Sequence, residues 1–206
     1  MHRIRISDIS MGHYLKLFGR SAMFLASLSL YLTGRLAEEL IRDFTATRVF
    51  AMFIWAVFMI EMLMKYFPLG FESMGCQKQF AKNYIPTKNA DDVSEKDLRI
   101  YDRGALLILI FWIMLNGIVA VLYFTHIIDR GILVLISLLY SVSDMICILF
   151  FCPFQTWFMK NKCCISCRIY TWDYILMFTP LLMIRNFFTW SLCITALGLM
   201  LRWEYI

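Results

Sequence analysis

The sequence predicts an all-α fold, a polytopic membrane helix bundle of about five transmembrane helices, or four if the first apolar segment is interfacial. Three observations lead there. Hydrophobic residues make up 61% of the 206-residue chain and charged residues only 17%, too little polar surface for a water-soluble domain of this length. The apolar residues fall into long runs separated by polar stretches, and a helix needs a run of about 20 residues to cross a bilayer. Aromatic side chains gather near the ends of these runs, Trp157, Trp172 and Trp203 among them, where amphipathic rings anchor helices at lipid headgroups.

Taken in order, a first helix from Tyr14 to Thr33 follows a flank containing Arg3, Arg5, Lys16 and Arg20. No small-residue cleavage site follows it, so it reads as a membrane helix and not a signal peptide. Its purely apolar part is short for a span. Gly34 to Thr47 then places Leu36, Leu40, Ile41 and Phe44 on one face, as in a helix lying on the membrane surface or extending the first span. The second span runs from Val49 to Phe67 and is closed by Pro68 and Gly70. Its one carboxylate, Glu61, lies four residues before Lys65, a spacing that predicts a pair along one helix face.

Residues 72–103 form a polar loop of mixed charge, in which Ser94 and Asp97 are placed to start a short helix. Gly104 to Ile128 is the third span. The Asp129-Arg130-Gly131 turn is short enough to make the third and fourth spans antiparallel neighbours. The fourth runs from Ile132 to at least Phe151, or onward as a kinked helix through Pro153 to Met159. After a cysteine-rich turn at 160–172, Tyr174 to Leu201 reads as one continuous fifth span. Arg99-Ile100-Tyr101 before the third span is echoed by Arg168-Ile169-Tyr170 before the fifth, a three-residue hint of a duplicated two-helix unit. The whole of 1–206 is expected to be one integral-membrane domain.

The formal net charge is +5, but the basic residues flank apolar runs in several loops and form no single patch, which argues against nucleic acid as a partner. Fourteen of the twenty Lys and Arg residues fall in the N-terminus, the long loop, the cysteine turn or, for Lys65, at the end of the second span that leads into the loop. Those segments are therefore expected on the cytoplasmic face. The expected partners are the lipid bilayer and a membrane protein, either different from this chain or a second copy of it.

Two groups of residues carry chemistry. On continuous helices, Asp144 and Arg185 lie at depths differing by about 5 Å, with Asn116 and Asn186 at similar depth. Isolated charges at such depth are costly, so this set predicts either an intramembrane polar pocket for a headgroup, quinone or ion, or an interhelical staple. The second group is the cysteines. Cys163, Cys164 and Cys167 lie beside Lys160, Lys162 and Arg168, a positive field that favours thiolate. In a reducing cytoplasm the C-x-x-C of Cys164 and Cys167 suits metal chelation or dithiol chemistry better than a structural disulfide. Cys76 or Cys152 completes a set of four for zinc or iron, against the plain alternatives of idle or acylated thiols. A disulfide-forming thiol–quinone enzyme would need these cysteines on the oxidising face. No serine triad, phosphate-binding glycine loop or paired-carboxylate site is present in the sequence, which leaves enzymatic activity unassigned.

The stretch Cys152-Pro153-Phe154-Gln155 through Lys160-Asn161, with Cys163-Cys164, Cys167-Arg168-Ile169-Tyr170 and Trp172-Asp173, resembles a family of uncharacterised multi-pass membrane proteins from anaerobic Gram-positive bacteria. The likeness extends over the last three spans, from Arg103-Gly104 onward. It implies a bacterial cell-membrane location and carries over no catalytic residue. The family pattern also implies a further cysteine-bearing tail, which puts a four-ligand site built from this chain's own cysteines in question.

Overall fold

The computed structural model describes residues 8–33, 46–67, 95–159 and 172–205. Every regular element among them is helical. The first helix, α1, is Asp8–Leu32; α2 is Ala46–Tyr66; α3 is Glu95–Phe124; α4 is Arg130–Leu149. A π-helical turn follows at Phe154–Met159. The last part comprises α5 (Asp173–Phe178), a 3-10 turn (Thr179–Met183) and α6 (Phe187–Tyr205). Arg48–Tyr66, Arg103–Phe124 and Arg130–Leu149 are long and apolar enough to cross a membrane, while Asp173–Met183 and Phe187–Arg202 are apolar but shorter.

α1 starts six residues before the expected Tyr14, and four further differences from the sequence expectation each have a local reason. α3 begins at Glu95, where Ser94 and Asp97 are placed to start a short helix, but it runs on into the third span without an intervening loop, because nothing between Asp97 and Gly104 breaks a helix. It stops at Phe124, not Ile128. There His126 takes the left-handed conformation (φ 59°), its N–H donates to the Tyr123 carbonyl at 3.0 Å, and the Ile127 N–H reaches back to Leu122 O at 3.0 Å. That pair of bonds is a Schellman termination. α4 starts where the Asp129 side chain accepts from the Ile132 N–H at 2.9 Å, and it ends at Leu149, four residues before Pro153. The π-helical turn beyond Pro153 leaves the α4 axis and lays Phe154 against Phe111 and Trp112 of α3.

The fourth difference is the largest: Tyr174 to Leu201 is no single span but a hairpin. Pro180 has no N–H to give to a helical ladder, the chain tightens into the 3-10 turn, and Ile184 is extended (φ −93°, ψ 111°). The Asn186 N–H bonds to Ile184 O at 3.0 Å, and α6 then runs back. Its direction follows from two contacts with α2. Trp55 Nε1 donates to Ser191 Oγ at 2.9 Å, and the Arg202 guanidinium lies 4.2 Å from the centre of the Tyr66 ring. Both steps are eleven residues, so α6 runs parallel to α2. α5 also begins at that end, with Asp173 bonded to Lys65 of α2. Asp173 and Arg202 therefore share one end of the bundle, and Arg185 marks the other.

α1 packs antiparallel along the whole of α4: Tyr31 lies against Gly131, Arg20 against Ser141, and Tyr14 against Phe150. The core is filled by Phe58, Met62, Leu133, Met177, Phe178 and Leu199, contributed by α2, α4, α5 and α6. Phe58 and Phe178 meet edge to face at 5.3 Å. Lipid removes the hydrophobic drive between helices, so such packing and interhelical hydrogen bonds hold the bundle. Ser137 Oγ donates to Met177 O at 2.9 Å and Trp112 Nε1 to Thr179 Oγ1 at 3.4 Å, both onto the first limb of the hairpin.

Candidate functional site

Arg20 is the central residue of α1, twelve residues and about 18 Å from either end. It is only 3% exposed. A guanidinium at that depth needs partners that neutralise it and accept its protons. Nη2 donates to Glu61 Oε2 at 2.7 Å, and Nη1 donates to Asp144 Oδ2 at 3.0 Å and to the Ser141 carbonyl at 3.1 Å. The planar fork thus joins α1 to α2 and α4 in one group, a geometry suited to Arg and not to Lys. The rings of Phe58 and Tyr174 cover it at 5.6 and 6.0 Å.

The network continues toward the helix ends. The Tyr174 hydroxyl donates to Glu61 Oε2 at 3.2 Å, and the Tyr174 N–H donates to Asp173 Oδ1 at 2.8 Å. Lys65 Nζ donates to Asp173 Oδ2 at 2.7 Å and lies 5.1 Å from the Tyr174 ring centre. Polar groups therefore run from Asp173 through Tyr174, Glu61 and Arg20 to Asp144. The bonded set holds three carboxylates against two cations. Lys16, one turn along α1, acts on Glu61 through space. Arg20 Nε, Ser141 Oγ and His13 Nδ1 are buried without a hydrogen-bond partner among the described residues.

This arrangement corrects two sequence-based pairings. Asp144 is bonded to Arg20, not to Arg185. The expected depths assumed unbroken helices on both sides of the cysteine turn, but α4 ends five residues after Asp144 and the hairpin carries Arg185 to the opposite end. Glu61 and Lys65 share a helix face but not a bond. Each turns to a partner on another helix, because Arg20 offers Glu61 two-carboxylate bridging and Asp173 comes within 2.7 Å of Lys65.

Of the four residues expected in one polar pocket, only Asp144 belongs to the cluster. Asn116 is buried on α3 and gives its Nδ2 to Trp112 O at 3.0 Å, leaving Oδ1 without a partner among the described residues. Arg185 and Asn186 are exposed and, with Phe187 and Trp190, line an open recess of about 550 Å³ at the hairpin tip. Of the expected metal ligands, Cys76, Cys163, Cys164 and Cys167 lie outside the described residues, and Cys152 is half-buried just beyond α4. Among the described residues no group of three or more His, Cys, Asp or Glu side chains is arranged to hold a metal ion.

Sequence reasoning missed Arg20, Tyr174 and Asp173. The signal for Arg20 was its period: His13, Arg20 and Ser27 recur every seven residues and are all buried, a polar seam on the face that packs against α4. No family model, no curated protein and no solved structure matches this chain.

Proposed function

We propose that this is a polytopic membrane protein in which the Arg20–Glu61–Asp144 cluster exchanges protons, as in proton-coupled carriers. The observation that carries this reading is the hydrogen-bonded run from the Tyr174 hydroxyl through Glu61 and Arg20 to Asp144, with the Lys65–Asp173 pair on the far side of the Tyr174 ring. Chains of ionisable groups inside a membrane mark proton or ion paths. A carboxylate surplus beside a shared arginine gives the path a bistable element. When Glu61 or Asp144 takes a proton, it loses its charge-assisted bond to Arg20, which remains held by the other carboxylate. On release the bond re-forms, and no redox partner is involved.

Four crossings, α1 to α4, with the α5–α6 hairpin entering and leaving on the cysteine-turn side, are the topology we favour. Returning Arg202 to that side brings the Lys and Arg count there to fifteen of twenty, which supports a cytoplasmic N-terminus and cysteine turn in a bacterial cell membrane. The test is reconstitution into liposomes that trap a pH-sensitive dye, with a potassium potential driving proton entry. Wild-type vesicles should acidify faster than empty ones, and Glu61→Gln and Asp144→Asn, made separately so that Arg20 keeps one carboxylate, should each fall toward the empty-vesicle rate while remaining monodisperse. Equal rates for wild type and empty vesicles would sink the proposal.

A second reading is a non-catalytic membrane subunit whose charges are packing elements. It is supported by the pairing of each of the three carboxylates with a cation. The reading of Cys152 and the cysteine turn as a zinc or iron site rests on the sequence pattern. Elemental analysis of the purified protein tests it, and a stoichiometry near zero refutes it.

A further inference from the structure

We infer that the tip of the α5–α6 hairpin binds the phosphodiester headgroup of an anionic membrane lipid, through Arg185 with Asn186 and Trp190. Arg185 differs from the buried cations of the bundle. Arg20 and Lys65 are bonded to carboxylates and Arg202 lies on the Tyr66 ring, whereas Arg185 is exposed and has no ion pair or hydrogen bond among the described residues. It sits in the recess of about 550 Å³ whose other walls are Asn186, Phe187 and Trp190. An unpaired guanidinium at a fixed turn, beside an amide, is a donor set for a phosphate oxygen pair.

The depth of the tip selects a lipid. Ser137 of α4 is level with Met177 through their 2.9 Å bond. The seven residues from Met177 to Ile184, mostly in the 3-10 turn, advance about 13 Å, as far as roughly nine residues of α4. That brings Ile184 level with Asp129, where α4 begins. By the second limb, Ser191 is level with Trp55, so Asn186 lies about one turn inside the start of α2. The tip therefore stands at the membrane–water boundary opposite the Lys65–Asp173 end. Phe187, 75% exposed, and the half-exposed Trp190 and Leu182 offer an apolar shelf there for glycerol and upper acyl carbons, and a Trp ring is suited to that interface. Of the two sources of a phosphate group, a free anion would use the charge but not the shelf.

The experiment is quenching of tryptophan fluorescence in vesicles by acyl-brominated lipid, comparing brominated phosphatidylglycerol with brominated phosphatidylcholine. The Trp190→Phe variant identifies the Trp190 contribution. Wild type should be quenched more by the anionic lipid, and the excess should vanish in Arg185→Gln and survive in part in Arg185→Lys. Because Arg185 is exposed and bonded to no described residue, these substitutions leave the core packing untouched, and an unchanged elution profile checks that. Equal quenching by the two lipids in wild type overturns the inference. So does abolition of the excess by inorganic phosphate, which would make the site one for the free anion. Neither outcome depends on whether the Arg20 cluster conducts protons.

Discussion

The two ends of the bundle are held by different physics. At the end where α2 and α4 finish and α5 begins, side-chain charges make the links: Arg20 to Glu61 and Asp144, and Lys65 to Asp173. At the other end the links are turns, a helix cap and a ring contact: the Schellman turn at His126, the Asp129 cap, the Tyr31 ring on Gly131, and the tight turn from Ile184 to Asn186. The arginine at each end shows the difference. Arg20 cannot leave its partners without stranding two half-buried carboxylates inside the bundle. Arg185 is exposed at the hairpin tip and bonded to no described residue, so its replacement should leave the interior as it is. Charge thus fixes the helix arrangement at one end, and chain geometry fixes it at the other.

The sharpest way to break this comparison is to neutralise each arginine in turn. Arg20→Leu should destabilise the fold by about 3–5 kcal/mol, the cost of stranding one side of a buried ion network. Arg185→Gln should stay within about 0.5 kcal/mol, as for an exposed side chain. Denaturant unfolding in detergent measures both. If charge is needed only because other charges are there, replacing Arg20, Glu61 and Asp144 together by leucine should recover most of the loss. A triple variant that folds but no longer moves protons favours the exchange site over the packing element. If Arg20→Leu is no more harmful than Arg185→Gln, the two ends do not differ as described.

Steric fit at the far end gives a second, smaller test. A Cβ on Gly131 would lie 2.7 and 2.8 Å from Tyr31 Cδ2 and Cε2, so the Tyr31 ring would have to shift from its place between α1 and α4. Gly131→Ala should therefore cost about 1–3 kcal/mol, the usual range for overpacking. Adding Tyr31→Ala should remove that steric part, so the double-mutant cycle should show coupling of more than about 0.5 kcal/mol. Additive losses would mean that the ring contact does not hold the α1–α4 register.

What could be read in advance follows from the same division. The apolar runs at Val49 to Phe67, Gly104 to Ile128 and Ile132 to Phe151 lie within a few residues of the observed helices α2, the apolar part of α3 and α4, because length and hydropathy suffice to define them. Tyr174 to Leu201 is equally apolar, and a membrane helix tolerates a proline. Hydropathy alone therefore does not reveal that Pro180 and the extended Ile184 turn the chain around. Asp144 stood out because a carboxylate deep in an apolar run has few innocent explanations. Arg20 did not, since a basic flank before a first helix has an ordinary topological explanation. Its true partners, 41 and 124 residues away, are set by how α1 lies against α2 and α4, which no local pattern encodes.

The finest test concerns the turn that ends α3. His126 occupies the left-handed position of the Schellman motif at φ 59°, a place where glycine meets no Cβ clash. The clash costs an L-residue about 1–2 kcal/mol, and the extra freedom of glycine in the unfolded chain offsets part of any gain. His126→Gly should therefore stabilise the protein, by no more than about 1 kcal/mol. His126→Ala keeps the Cβ and should not. His126 is exposed, so loss of the imidazole itself should weigh equally in the two variants and cancel from their difference. A glycine variant no more stable than the alanine one would mean that the backbone at 126 carries no strain, and that the far end is held by the Asp129 cap and the Tyr31–Gly131 contact instead.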